Sequence, residues 1–181
     1  MIIKAQKQIE YSFLSLIVDN FDVRTGVSIN HEVRTDGICS PDTKVIEYHT
    51  ALELKCLNAD PDEPLSDAYS FTIYGDAHSY SRLESTLKDF HEEDEEGFKK
   101  YRKQKGVEIP VYDIPKGLAV LSKLRGERHW STALWLPRYI VTGMLVLLSG
   151  SKKVYAAVHL KHVSGDLWIL GFDLQTSNPL D

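Results

Sequence analysis

The sequence has few of the features that identify common enzyme classes. Its 181 residues contain two cysteines, Cys39 and Cys56, and no Cys-x-x-Cys pair. One possible bridge is not a disulfide framework, so we expect reduced thiols in a cytoplasmic protein. The chain also lacks the glycine-rich nucleotide-binding signatures and the Gly-x-Ser-x-Gly elbow of many hydrolases. These absences weaken the commonest nucleotide-binding and hydrolase classes, and we expect no cofactor.

Long apolar runs are absent as well. The most apolar stretch, Tyr139 to Leu148, is far shorter than the roughly 20 residues that a membrane-spanning helix needs, and it is interpreted as a buried strand. The first ten residues include Lys4, Lys7 and Glu10 without an uninterrupted apolar run, which argues against a signal peptide. We therefore expect a soluble protein with no membrane partner.

Basic residues are in deficit, with 21 Lys and Arg against 26 Asp and Glu and a net charge of −5. This balance disfavours non-specific nucleic-acid and anionic-membrane binding, which needs Lys and Arg in excess, although it does not exclude a local basic patch. The hydrophobic fraction of 43% and the charged fraction of 26% are ordinary for a globular protein. The length predicts one domain over residues 1–181.

The residues present indicate strands at both ends of the chain. Residues 44–57 alternate most cleanly, with Leu52, Leu54 and Cys56 on one face and charged side chains on the other. Residues 11–18 and 67–74 are further predicted strands. Beyond residue 127 the pattern predicts a four-stranded antiparallel meander over 127–174, with turns at Ser149-Gly150-Ser151 and Ser164-Gly165-Asp166.

The middle of the chain changes to a helical pattern. Ser81 to Glu84 fits a capping box, and the acidic run 89–96 precedes the basic run 99–105, which complements a helix dipole. These features predict a central helix within 81–105, and residues 115–125 predict a second, short helix. The predicted fold class is therefore α+β: a mainly antiparallel sheet of about eight strands with a C-terminal meander, one longer central helix and one short helix.

The densest charged feature is the acidic segment 89–96, which holds six carboxylates and no basic residue. We interpret it as an exposed helix face that could bind a basic protein. The candidate binding residues in this segment are Glu92, Glu93, Asp94, Glu95 and Glu96.

A second candidate binding surface is the aromatic stretch that includes Trp135 and Arg138, because tryptophan and arginine are favoured interface anchors. The alternative interpretation is ordinary sheet packing, with Trp130 facing the core and Trp135 on the other side of the sheet.

Metal sites are poorly supported. The segment that begins His91-Glu92 resembles His-Glu-x-x-His, but glutamate replaces the second histidine. His159 and His162 are three residues apart, which on a strand places them on opposite faces. The acidic loop that holds Asp60 and Asp62 lacks the spacing of a calcium-binding loop. We expect no metal.

Three functions remain open from the sequence. The leading hypothesis is a non-enzymatic binding protein of an immunity or inhibitor type, whose acidic surface docks on a basic partner. The second is a small enzyme with a sheet-lined site that uses some of His129, His159, Arg138 and Tyr139. The third is a structural subunit that forms a homodimer through the strands of its C-terminal meander.

Overall fold

The computed structural model describes residues 9–29, 45–59, 67–76, 86–123 and 126–180. The strands are β1 (Glu10–Ile29), β2 (Ile46–Asn58), β3 (Ala68–Asp76), β4 (Tyr101–Gln104), β5 (Val107–Pro110), β6 (Ala119–Lys123), β7 (His129–Pro137), β8 (Tyr155–Val163) and β9 (Asp166–Gln175). A short 3₁₀ helix covers Leu87–Phe90, and the α-helix of the described residues, α1, covers Arg138–Gly150.

Seven of these strands form a closed barrel in the order β1-β2-β3-β7-β6-β9-β8, and β4 and β5 form a separate two-stranded sheet. β3 and β7 are parallel, and the other barrel pairs are antiparallel. The prediction of an open, mainly antiparallel sheet with a C-terminal meander is therefore wrong. β7 pairs with β3 and β6, and β1 closes the barrel by pairing with β8.

The alternating patterns at the two ends of the chain do form strands. Leu52, Leu54 and Cys56 of β2 are buried, and so are Tyr69, Phe71 and Ile73 of β3. The turn at Ser164-Gly165 is also confirmed, because both residues have positive φ angles, 57° and 95°, as a two-residue hairpin turn requires. The barrel interior is thus filled by alternate apolar side chains.

The apolar stretch 139–148, predicted as a strand, is most of α1. Val141, Met144 and Leu148 are buried at helical spacing, whereas Val146 is 70% exposed. α1 begins directly after β7 and packs on β2, β3, β7 and β9. A Cβ atom on Gly75 of β3 would make ordinary van der Waals contact with Cγ2 of Val141, at 3.5 Å.

The two predicted helices are absent from the residues described. The capping box at residues 81–84 lies outside them. Between residues 86 and 105 the chain forms one short 3₁₀ helix and then extended segments. Gly97 and Gly106 adopt positive φ angles of 84° and 83°, each at a turn rather than inside or after a helix. The segment predicted as the short helix contains β6, which pairs with β7 and β9.

Candidate functional site

The predicted acidic site lies on an inserted element, which we call the arm (residues 86–114). Its strands β4 and β5 pair with each other and with no strand of the barrel. The arm begins with the 3₁₀ helix, where the hydroxyl and the backbone N–H of Thr86 both donate to Asp89 Oδ2. These bonds, first the backbone one, lower the pKa of Asp89. Asp89 is therefore used in forming the first turn of the arm.

Backbone hydrogen bonds give the arm a three-way junction. The entering and leaving segments pair, because Asp113 N donates to the Phe90 carbonyl and Glu92 N to the Val111 carbonyl, at 2.8 and 2.9 Å. From Glu92 the chain forms one hairpin that returns at Lys100, whose N–H donates to the Glu92 carbonyl at 2.8 Å. From Lys100 it forms a second hairpin that returns at Val111. Two hairpins thus diverge from one paired stalk.

The centre of the junction is a small aromatic cluster. The ring of His91 lies 5.3 Å from the rings of both Tyr101 and Tyr112. Nδ1 of His91 is 3.1 Å from the Glu92 carbonyl oxygen, whereas its Nε2 is buried and has no hydrogen bond to any residue that the structure describes. These ring contacts join the stalk of the arm to its second hairpin.

The first hairpin ends in what we call the acidic turn (residues 93–97). Oδ1 of Asp94 accepts hydrogen bonds from the backbone N–H groups of Glu96 and Phe98, at 3.0 and 2.8 Å. Gly97 N donates to the Asp94 carbonyl at 3.0 Å, and the positive φ of Gly97 allows the chain to reverse. The turn conformation is therefore fixed by one of its own carboxylates.

The five predicted acidic residues divide into two groups. Glu92 forms an ion pair with Lys100 at 2.7 Å, which raises the pKa of Lys100, and Asp94 is bonded within the turn. Glu93, Glu95 and Glu96 are exposed and form no ion pair within the described part of the chain. The structure therefore leaves three of the five carboxylates open to solvent at one tip.

We call the second hairpin the basic hairpin (residues 99–110). The sequence pattern did not predict it, because its cations suit the C-terminal end of a helix. Its two-residue turn consists of Lys105 and Gly106, with φ angles of 53° and 83°. Opposed pairs run from Tyr101 with Pro110 to Gln104 with Val107. Five of the seven residues from 99 to 105 are basic, and this density is the feature of the sequence that indicates a local positive surface.

Trp135 and Arg138 lie elsewhere, at the end of β7 and the start of α1. Trp135 is 58% exposed on the outer face of the barrel, where its ring stacks on Tyr74 of β3 at 5.3 Å. Arg138 is half-buried. Trp130 faces inward and packs against the core. The two predicted binding surfaces thus belong to different elements, the arm and the barrel wall.

The residues of the enzyme hypothesis are distributed over the barrel. His129 begins β7, whereas His159 lies on the outer face of β8, where its ring contacts Phe13 at 5.0 Å. Ser12 and His162 form a pair with Oγ and Nε2 2.9 Å apart, a distance suited to a nucleophile and its base. Within the described residues, His162 has no second hydrogen bond that would orient its ring, and the pair is exposed.

The described residues contain no group of three or more His, Cys, Asp or Glu side chains that could hold a metal ion. In the same ranges, no helix combines the length and the apolar character needed to cross a membrane. Comparison with protein-family models, curated proteins and solved structures finds no match to this chain. The arm therefore has to be interpreted from its own geometry.

Proposed function

We propose that the protein is a binding protein whose acidic turn docks on a positively charged surface of another protein. The observation that supports this proposal is that Glu93, Glu95 and Glu96 are exposed at one turn and form no ion pair within the described residues, although Glu93 lies opposite Lys99 in the hairpin. Their turn is held by Asp94, so the three carboxylates are presented without a large loss of backbone entropy on binding. An exposed hairpin tip also reaches a concave cationic site more easily than a helix face does.

The charge at the tip acts mainly on the rate of association. Electrostatic attraction increases the rate at which oppositely charged surfaces meet, and salt screens it. The Debye length is about 30 Å at 10 mM ionic strength and about 8 Å at 150 mM. We therefore expect fast binding at low salt that slows steeply as salt is added.

The partner can be identified by zero-length carbodiimide cross-linking in the native cells, which joins carboxylates to amines that touch them. We expect cross-links from Glu93, Glu95 or Glu96 to lysines of one basic protein. The triple variant E93Q/E95Q/E96Q should then associate with that purified protein at least about tenfold more slowly at 10 mM salt, and more nearly like the wild type at 500 mM.

A matched control removes three charges from the other hairpin of the same arm, in the variant R102Q/K103Q/K105Q. It should bind the basic partner as fast as the wild type or faster. Equal association rates for the wild type and the acidic-turn variant, with circular dichroism showing both folded, would show that the carboxylates do not form the docking surface.

A further inference from the structure

The basic hairpin has a different charge and a different set of exposed side chains from the acidic turn. Lys99, Arg102, Lys103 and Lys105 are exposed, and within the described residues none of them forms an ion pair. The hairpin's own carboxylate is Glu108, which faces Lys103 across the ladder. The negative net charge of the chain therefore conceals a compact positive surface.

Aromatic side chains accompany these cations. Phe98 is 66% exposed and Tyr101 is 56% exposed, although one side of the Tyr101 ring rests on His91. Strand alternation places Lys99, Tyr101 and Lys103 on one face, about 6.6 Å apart, and Phe98 and Arg102 on the other, so each face carries both cations and an aromatic ring. Alternating cations and aromatic rings match the alternating phosphates and bases of a flexible strand.

The acidic turn and the Lys105-Gly106 turn are the ends of two separately paired hairpins. The four residues of β4 extend the hairpin by roughly 13 Å, which exceeds the Debye length of about 8 Å at physiological salt. A phosphate held at Lys105 therefore lies farther from the junction than this screening length, whereas one held at Lys99 lies beside Glu93. Lys100, by contrast, is neutralised by Glu92 at the base of the hairpin.

We propose that the basic hairpin, together with the adjacent Phe98, binds single-stranded nucleic acid. Lys99, Arg102, Lys103 and Lys105 contact phosphates, and Phe98 and Tyr101 stack on bases. We expect little sequence preference, because phosphate contacts carry no sequence information and stacking tolerates every base. The two proposals use different residues of the arm, and the two surfaces meet where Lys99 lies opposite Glu93 and where Phe98 N donates to Asp94 Oδ1.

The test is fluorescence anisotropy with a labelled 20-nucleotide oligo-dT. Four phosphate contacts on a single strand predict a slope of about −2.8 for log K against log salt, so the affinity should fall roughly 50-fold between 50 and 200 mM salt. R102Q/K103Q/K105Q removes three contacts and should reduce the slope to about −0.7. Phe98→Leu keeps an apolar side chain without the ring, and its loss of stacking should weaken binding about fivefold or more.

The acidic-turn variant E93Q/E95Q/E96Q is the matched control, and we expect it to bind the oligonucleotide as tightly as the wild type or more tightly. Circular dichroism and thermal melting establish that each variant is folded. The proposal is overturned if the wild type shows no binding at 50 mM salt or if R102Q/K103Q/K105Q binds like the wild type. It is also overturned if phosphatidylserine vesicles bind the hairpin and the oligonucleotide does not.

Discussion

At the scale of single residues, Cys56 shows how burial controls reactivity. The side chain is 1% exposed, and burial, with a smaller contribution from the charge of Asp19, raises the pKa of its thiol to about 12. At pH 8 about one molecule in ten thousand then carries the reactive thiolate. In a Cys39→Ser background, we expect Ellman's reagent to label Cys56 only after denaturation. Rapid stoichiometric labelling of the native protein would contradict the burial.

The same pKa predicts a pH dependence of stability. An unfolded thiol ionises near pH 9, whereas the buried one remains neutral to about pH 12. Ionisation therefore favours the unfolded state, so stability should fall as the pH rises from about 9 towards 12. We expect the free energy of unfolding, measured by urea titration, to fall more steeply between about pH 9 and 12 in Cys39→Ser than in Cys39→Ser/Cys56→Ala. The same pH dependence in both variants would argue against the raised pKa.

Asp67 gives the opposite dependence. Its Oδ2 accepts hydrogen bonds from Trp130 Nε1 at 2.9 Å and from Lys123 Nζ at 3.0 Å, and these bonds, first that of Trp130, lower its pKa. The stabilisation is present above the ordinary carboxyl pKa and is lost as the pH falls through the lowered one. We expect Asp67→Asn to melt earlier than the wild type at pH 7 and at nearly the same temperature at pH 2.

At the scale of elements, α1 offers a test that distinguishes a helix from a strand. Met144 and Val146 would share a face in a strand, but α1 buries Met144 and leaves Val146 exposed. We expect Met144→Ala to lower the free energy of unfolding by about 2–5 kcal/mol and Val146→Ala to change it by less than about 0.5 kcal/mol. Similar losses at both positions, measured by chemical denaturation, would indicate a strand.

The sequence predicted elements well where one face of the chain meets water. Residues of β2 and β3 alternate because the barrel wall has an inside and an outside. α1 was misinterpreted because its apolar side chains nearly surround it, although Val141, Met144, Leu145 and Leu148 carry the helical period. The acidic and basic runs were misread as a helix because their charges suit a helix dipole. They lack the apolar stripe that would pack such a helix, and helices depend on that packing.

The sequence predicted which residues make the candidate site acidic, but not how those residues contact one another. Glu92 to Glu96 were singled out as a negative surface, but sequence spacing could not show that Glu92 meets Lys100 across a hairpin or that Asp94 bonds its own turn. The Trp135–Tyr74 stack depends on the parallel pairing of β3 with β7, which joins segments some sixty residues apart. No local pattern specifies such a pairing.

At the scale of the whole molecule, closure of the barrel depends on partners from opposite ends of the described chain. Tyr11 of β1 pairs with Lys161 of β8. Until β8 has been synthesised, β1 therefore has a neighbour, β2, on one edge only, and its other edge is unpaired. During synthesis, the N-terminal strands leave the ribosome long before their last neighbour, with one edge open to pairing with other chains. Distant pairings also make folding slow. We expect a chain ended at Ser151 to aggregate, whereas the 181-residue chain folds over milliseconds to seconds in stopped-flow fluorescence.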